Sequence, residues 1–377
     1  MDSAATRRTP VTLTEVAARA GVSRATAARA LGGYGSVSET ARSLVEAAAA
    51  ELAYRPNGMA RSTRTGTTST VGVVVADIGN AFFSRCVRGI SDAGRARGYE
   101  VLVVNTDEDV DAERAAVSLL VEHRAAGMIV APAARTGGSH LVEAQTVGIP
   151  VVLVDRRVRG LDTDRVAADN RGGAMLAMER LLRAGHRRIA FVSSAAGPQG
   201  APPGQHPPVD DLVTSGGDRV RAYLGALSEA GVKDPGSYLR LCPFGEDAAY
   251  TATTDLLALP KPPTALFASD SVIALGVLRA AHDAGASIPD DVSVVAGDDP
   301  VWSSVTTPGL SSIDQPVYDL GHTAMNLLLD RLSEPDVPWR DVVLPTTFLD
   351  RGSIARRARG ASRRPVHQER PNLEQSG

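Results

Sequence analysis

At 377 residues the chain is longer than one hydrophobic core organises, so two or three domains are predicted. No apolar run approaches the ~20 residues of a membrane span, and the only cysteines, Cys86 and Cys242, lack CxxC or histidine spacing, which argues against a disulfide framework or metal site and for a reducing compartment. The net charge of −3 conceals a segregation: residues 1–66 carry nine arginines against five acidic residues and 351–377 seven against two, leaving −12 in the middle, a pattern that suits a polyanionic partner at one end.

Residues 1–10 are polar, with Arg7 and Arg8 but no apolar segment behind them, so they are read as a disordered start and not as a secretory signal; the chain is expected in the cytoplasm. Thr12 and Glu15 then stand at capping-box spacing ahead of Val16, Ala17 and Ala20. Gly21-Val22-Ser23 breaks this helix, and Ser23 is placed to cap a second, Arg24 to Leu31. Small Ala17 at the crossing, Gly21 at a turn that favours positive φ, and apolar Val16, Ala20, Val22, Ala27, Ala30 and Leu31 make a helix-turn-helix. A third helix, capped by Ser38 and running to about Ala53, is expected to bury Leu44, Val45, Ala48 and Leu52. Three helices packing for their own sake would leave Arg24, Thr26 and Arg29 unexplained, whereas such a second helix enters the major groove of DNA. Residues 11–56 are therefore read as an all-α DNA-binding domain.

The stretch from Val11 to Ser23, Val37-Ser38, Arg42, Leu52-Ala-Tyr-Arg-Pro-Asn57 and Ala60-Arg61 resemble the headpiece of the lactose-repressor (LacI/GalR-type) family of transcriptional regulators. The resemblance implies DNA contacts from Thr12, Ser23, Arg24, Ala25, Thr26, Arg29, Ser38 and Arg42. It also implies a hinge, within 57–69, that becomes helical on DNA and enters the minor groove through Asn57, Ala60, Arg61 and Thr63. Thr63 stands where the family usually has a leucine wedge.

From Val71-Gly-Val-Val-Val-Ala76 onward, short apolar runs alternate with helix patterns: Phe83 to Arg97, Tyr99 to Val104, Ala112 to His123, Gly127 to Ala131, Pro150 to Val154. The alternation restarts at Arg188 to Val192 and continues through Thr264 to Phe267 and Val292 to Val295. This predicts an α/β domain, 70–350, of two doubly wound parallel-sheet subdomains: about 70–168 with 315–335, and about 169–314 with 336–350. Ligands of such sheets sit beyond the strands' carboxyl ends. Polar and aromatic residues gather there: Asp77, Asn80 with Phe82-Phe83, Asn105, Asp107, Asp155-Arg156, Ser269-Asp270 and Asp298-Asp299. They suit a sugar-like ligand, whose hydroxyls pair with carboxylates and whose ring lies on an aromatic face. An acid after a strand is also an ordinary helix cap, the reading taken for Asp270 and Asp77.

Asp77 to Phe83, Arg88-Gly-Ile90, Asp155-Arg156, Asp169-Asn170, Gly185 to Ile189, Ala268-Ser-Asp270, Ala274-Leu-Gly276, Ile288-Pro289 and Asp298-Asp299 are similar to the same family's effector domain, which shares its fold with periplasmic sugar-binding proteins. The resemblance implies an effector pocket of Asn80, Phe82, Phe83, Asp155, Arg219, Ser269, Asp298 and Gln315. It further implies a homodimer on a palindromic operator of double-stranded DNA and a small-molecule effector, carbohydrate in kind. Three departures stand out: Ala296-Gly297 replaces a glycine-aromatic pair, Ser269 replaces an asparagine, and Gly197 to Gly217 is a long Pro- and Gly-rich insertion, expected to be a mobile surface loop. Residues 351–377, Arg-rich and aperiodic, are expected to be a disordered basic tail.

An enzyme is the rival reading, but no GxGxxG, GxxxxGK or GxSxG follows a strand, and the scattered histidines suggest no metal site; no catalytic residue, metal or cofactor is expected. His186, at a helix-to-strand turn, is read as structural. A periplasmic binding protein would share the pocket but not the DNA-reading head, and no membrane partner is expected. The resemblance implies a repressor, activation being the outcome if the operator's position relative to a promoter demands it.

Overall fold

The computed structural model describes residues 11–32, 34–54, 68–133, 135–195, 200–202 and 207–357. The chain divides between Ser69 and Thr70 into two compact units. In the first, α1 (Leu13–Ala20), α2 (Arg24–Gly32) and α3 (Glu39–Glu51) close over Val16, Ala17, Ala20, Ala27, Ala30, Val45, Ala48 and Ala49. The capping box forms: Thr12 N donates to Glu15 Oε2 at 2.6 Å and Glu15 N to Thr12 Oγ1 at 3.4 Å. Gly21 adopts φ 66°, a left-handed turn that a side chain would strain. Leu44, expected inside, is instead 51% exposed, because Val45 one position on takes the core-facing register of α3.

The second unit holds two six-stranded sheets. Its first elements are β1 (Thr70–Val75), α4 (Ala81–Ala96), β2 (Glu100–Asn105), α5 (Val110–Glu122), β3 (Gly127–Val130), α6 (Ser139–Thr146), β4 (Val151–Val154) and β5 (Asp164–Ala168). Next come α7 (Asn170–Arg183), β6 (Ile189–Ser193), α8 (Thr214–Glu229), β7 (Leu239–Leu241), α9 (Glu246–Leu257), β8 (Ala265–Ala268), α10 (Ser271–Asp283), β9 (Ser293–Ala296) and β10 (Ser311–Asp314). The last elements are α11 (Val317–Ser333), β11 (Asp341–Leu344) and β12 (Thr347–Leu349). The first sheet runs β11-β5-β4-β3-β1-β2, all parallel; the second runs β12-β10-β9-β8-β6-β7, parallel except for β12. Central strands are valine- and alanine-rich and buried on both faces because helices cover both.

The backbone passes between the sheets after β5, after β10 and after β11. The last passage corrects the sequence reading, which gave all of 336–350 to the second half. β11 instead pairs with β5 from Asp341–Arg165 to Leu344–Ala168, and Asp341 accepts a bond from Arg165 Nε at 2.9 Å, so the salt bridge draws this strand into the first sheet. Helices α4 and α11 cross where a Cβ on Gly89 would meet the carbonyl of Tyr318, and one on Gly321 the carbonyl of Cys86. The two glycines let backbone touch backbone.

Two further expectations are overturned in part. Thr214 to Gly217 are not surface loop but the first turn of α8, with Leu212 buried just ahead as an anchor and Asp210 paired to Arg221 at 2.7 Å. Residues 351–357 are not free tail. Arg351 grips Asp299 through both Nη atoms at 2.7 and 2.9 Å, Ser353 is buried against β9 and β10, and Arg357 N donates to Ala184 O. His186 closes this end of the lobe, its ring nitrogens against Thr264 Oγ1 and Ala355 O; burial pushes its pKa down to about 4, so it is neutral at neutral pH. Residues 1–10, the stretch 55–67 that holds the hinge candidates Asn57, Ala60, Arg61 and Thr63, parts of the 197–217 insertion, and the tail from 358 lie outside the described residues.

Candidate DNA-reading face and ligand cavity

In the headpiece, three of the sequence's candidate contacts serve as caps. Thr12 opens α1; Ser23 Oγ accepts from Thr26 N at 3.1 Å and opens α2; Ser38 Oγ accepts from Ala41 N and opens α3. Capped N-termini still point unbonded backbone donors outward, which is where phosphate oxygens are held. Arg24 and Ala25 are exposed on the first turn of α2, and Arg24 has no partner among the described residues. Arg29 is half-buried, its Nε turned back to Ala25 O at 3.3 Å, and Thr26 shares a 2.9 Å bond with Ser23. Arg42 sits half-buried on the first turn of α3.

In the second unit the carboxyl ends of the two sheets face each other across a cavity of about 300 Å³. All eight effector residues named from the sequence line it. Asn80 caps α4 by accepting from Phe82 N at 2.9 Å, leaving its amide nitrogen for other work. Phe82 and Phe83 meet edge to face, centroids 5.3 Å apart, and Phe82 is the more exposed ring. Asp155, at φ 65°, accepts from Ser215 Oγ at 3.1 Å, a bond that joins the lobes. Beside it Thr214 Oγ1 donates to Arg157 O at 3.2 Å. Arg219 donates to Ser269 O at 2.9 Å and to Asn170 Oδ1 at 2.6 Å. Ser269 Oγ donates to Asp270, whose other oxygen caps α10 through Val272 N and Ile273 N, the structural role expected of it. Gln315 Nε2 donates to Gly297 O at 2.8 Å.

Three buried acceptors in this cavity have no protein partner: Asp155 Oδ1, Asp298 Oδ1 and Gln315 Oε1. Burial raises the pKa of Asp298 to about 7, and the nearby charge of Asp270 pushes the same way; Ser271 and Arg219 only partly oppose them. The departure at Gly297 also has its reason: a side chain there would meet the backbone carbonyl of Ser269.

The headpiece and the cavity each have counterparts in known proteins. Residues 12–57 match the family model of bacterial regulatory proteins, lacI family, and 178–354 that of the periplasmic binding protein-like domain. The ribose operon repressor of Halalkalibacterium halodurans is 32% identical over 340 residues, 90% of this chain and 96% of that one. The chain belongs to the LacI family. Among solved members, the lac repressor dimer bound to operator and the anti-inducer ONPF matches 92% of this chain and 100% of that one, with a TM-score of 0.77 at 26% identity. A LacI family regulator from Enterococcus faecium with bound ribose matches 77% of this chain and 100% of that one, with a TM-score of 0.67 at 28% identity.

Some strand-end residues singled out in this LacI-family chain do other work. Asn105 accepts from Ile78 N, Asp77 from Gly79 N within a turn, and Asp299 is consumed by Arg351, Ser303 and Ser312. Conversely, Glu108, Ser193, Ser215 and Phe244 line the cavity without having been foreseen. Phe244 follows β7, a strand of three residues that leaves no periodic signal. Ser215 was hidden in the supposed loop. Glu108 follows Asp107 and could have been suspected from Thr106-Asp-Glu-Asp109 after a strand, a run of acids where a ligand is expected. Among the described residues no helix is long and apolar enough to cross a membrane, and no group of three or more His, Cys, Asp or Glu could hold a metal.

Proposed function

We propose that this LacI-family regulator is a cytoplasmic transcriptional repressor that binds a palindromic operator as a homodimer and changes its operator affinity when a carbohydrate occupies the cavity between its two α/β lobes. The observation that carries the effector half is the convergence of Asp155 Oδ1, Asp298 Oδ1 and Gln315 Oε1, buried acceptors without partners, beside the open ring of Phe82. Each orphaned acceptor costs free energy until a donor reaches it, and a sugar ring brings several hydroxyl donors and an apolar face at once. Asn80, Phe83, Arg219 and Ser269 complete the proposed pocket, the arginine holding Ser269 and Asn170 in place as well as facing the ligand.

For the DNA half, Arg24 and Ala25 read base edges from the exposed end of α2, while the caps at Thr12, Ser23 and Ser38 present phosphate-binding helix ends, with Thr26, Arg29 and Arg42 alongside. The hinge contacts Asn57, Ala60, Arg61 and Thr63 belong to the same proposal. The reading assigns the chain no catalysis, and the ribose operon repressor and lac repressor it resembles are repressors by name. A thermal-shift screen of sugars and nucleosides tests it, followed by binding of a selected palindromic duplex with and without each hit. Stabilisation by a sugar that also changes duplex affinity is the expected result. A chain stabilised by no sugar, or by one that leaves duplex binding untouched, would refute it.

A further inference from the structure

The cavity is lined by Asp77, Asp107, Glu108, Asp155, Asp270 and Asp298 against only two arginines. Neither arginine has its paired Nη edge free. Arg156 lies in a bidentate clamp with Glu108, Nη1 to Oε2 at 2.5 Å and Nη2 to Oε1 at 2.6 Å, and Nη1 also reaches Pro132 O at 3.1 Å. Its Nε stands 3.6 Å from Asp155 Oδ2. Arg219 gives one hydrogen of each Nη to the protein, to Ser269 O and Asn170 Oδ1. Of the buried cavity groups left without a hydrogen bond, three are acceptors, Asp155 Oδ1, Asp298 Oδ1 and Gln315 Oε1, and one, Arg156 Nε, is a donor turned toward Asp155.

The clamp is held at a conformational cost. Asp107 and Glu108 have φ of 51° and 62°, a left-handed backbone that non-glycine residues adopt only when the surroundings enforce it. The strained turn brings the Glu108 carboxylate onto the fork of Arg156, the geometry in which a guanidinium would otherwise receive a phosphate or carboxylate from a ligand.

We infer that Glu108 is a specificity-determining residue: by occupying Arg156 it makes the cavity select uncharged, hydroxyl-rich ligands and reject phosphorylated or carboxylated ones. The inference rests on the reading of this cavity as a carbohydrate site and adds the charge class of the carbohydrate. An anionic group entering here meets an excess of carboxylates with both guanidinium forks engaged, and like-charge juxtaposition in a desolvated site weakens binding by about a hundredfold or more. An uncharged polyol meets acceptors that match its hydroxyls.

Titration calorimetry of the full chain tests this with D-ribose, D-xylose, D-glucose and D-galactose, each beside its terminal phosphate ester. The wild type is expected to bind at least one free sugar and to bind the matching ester about a hundredfold more weakly or not at all. In Glu108→Gln, which keeps the shape and one acceptor while freeing charge on Arg156, that ratio is expected to fall by about tenfold or more; far-ultraviolet dichroism checks that the variant is folded. If the wild type binds an ester as tightly as its sugar, or only the esters, this inference fails while the carbohydrate reading stands. If a folded Glu108→Gln keeps the wild-type ratio, Glu108 is not the determinant. If no sugar and no ester binds, the carbohydrate reading fails and this inference with it.

Discussion

A single buried carboxyl, Asp298, ties ligand chemistry to stability. Its pKa stands at about 7 because burial, and then the charge of Asp270, oppose ionisation, whereas in the unfolded chain it titrates near the ordinary carboxylate value of about 4. The folded state therefore holds the proton more tightly. Its stabilising contribution is complete below about pH 4 and is lost as pH rises to and through about 7. Asp298→Asn carries no such charge, so its melting temperature should draw ahead of the wild type between about pH 4 and 7 and keep a constant lead above that, while the effector response disappears. A lead independent of pH would mean that Asp298 ionises normally. In the first unit, Arg24 is exposed and unpartnered among the described residues, so Arg24→Ala should leave folding intact and cost about 1–3 kcal/mol on the operator, relaxing one base position per half-site. Competition binding against half-site variants measures this; a loss uniform over all sequences would make Arg24 a phosphate contact. At this scale the sequence was legible where a residue's type and its place after a strand both spoke, as for Asn80, Asp155 and Asp298. It was silent where a partner decided the role: nothing local says that Asp299 is taken by Arg351, or that Glu108 clamps Arg156.

Elements were legible in proportion to their burial. Val71 to Val75 is apolar at every position but one and reads as a central strand, but β10 is Ser-Ser-Ile-Asp, with Ile313 its one apolar side chain in the core and Ser311 and Ser312 buried through hydrogen bonds to Ser353, Asp350 and Asp299. Edge strands β11 and β12 are short and half-exposed, and only long-range pairing with β5 and β10 makes them strands. The α4–α11 crossing is the opposite case, since the glycines that define it were visible but their purpose was not. Because a Cβ on Gly89 or Gly321 would meet backbone of the opposite helix, no rotamer change can relieve it and the helices must part. Gly89→Ala and Gly321→Ala should each destabilise the second unit by about 2–4 kcal/mol, despite alanine's higher helix propensity. Denaturant titration reads this directly, and a stabilised variant would show that the helices have room to move.

Over the whole molecule, the two lobes are joined by three passages of backbone and, across the cavity, by the bonds that Thr214 and Ser215 make to Arg157 and Asp155. These cross-cavity bonds exist between protein groups alone, so they favour this arrangement of the lobes before any ligand contributes. A ligand's apparent affinity is its intrinsic affinity scaled by the fraction of molecules already in the competent arrangement. The Thr214 bonds are neutral, worth about 0.5–1.5 kcal/mol each, and the Ser215 bond to the Asp155 carboxylate about 1.5–3, so removing both side-chain links should lower that fraction enough to weaken effector binding by about tenfold or more. Thr214→Val with Ser215→Ala does this without touching the acceptors Asp298 and Gln315. Ligand-free operator affinity gives the second reading. If the effector acts by shifting the lobes between arrangements, the double variant should move ligand-free operator binding away from the value produced by saturating effector, and saturating effector should still reach that value, because it restores the closed population. Calorimetry with the stabilising sugar and operator titration at zero and saturating sugar measure both. Unchanged sugar affinity in the double variant would show that the links do not hold the lobes. A weakened sugar with unchanged ligand-free operator binding would show that lobe closure and DNA grip are not coupled through this cleft.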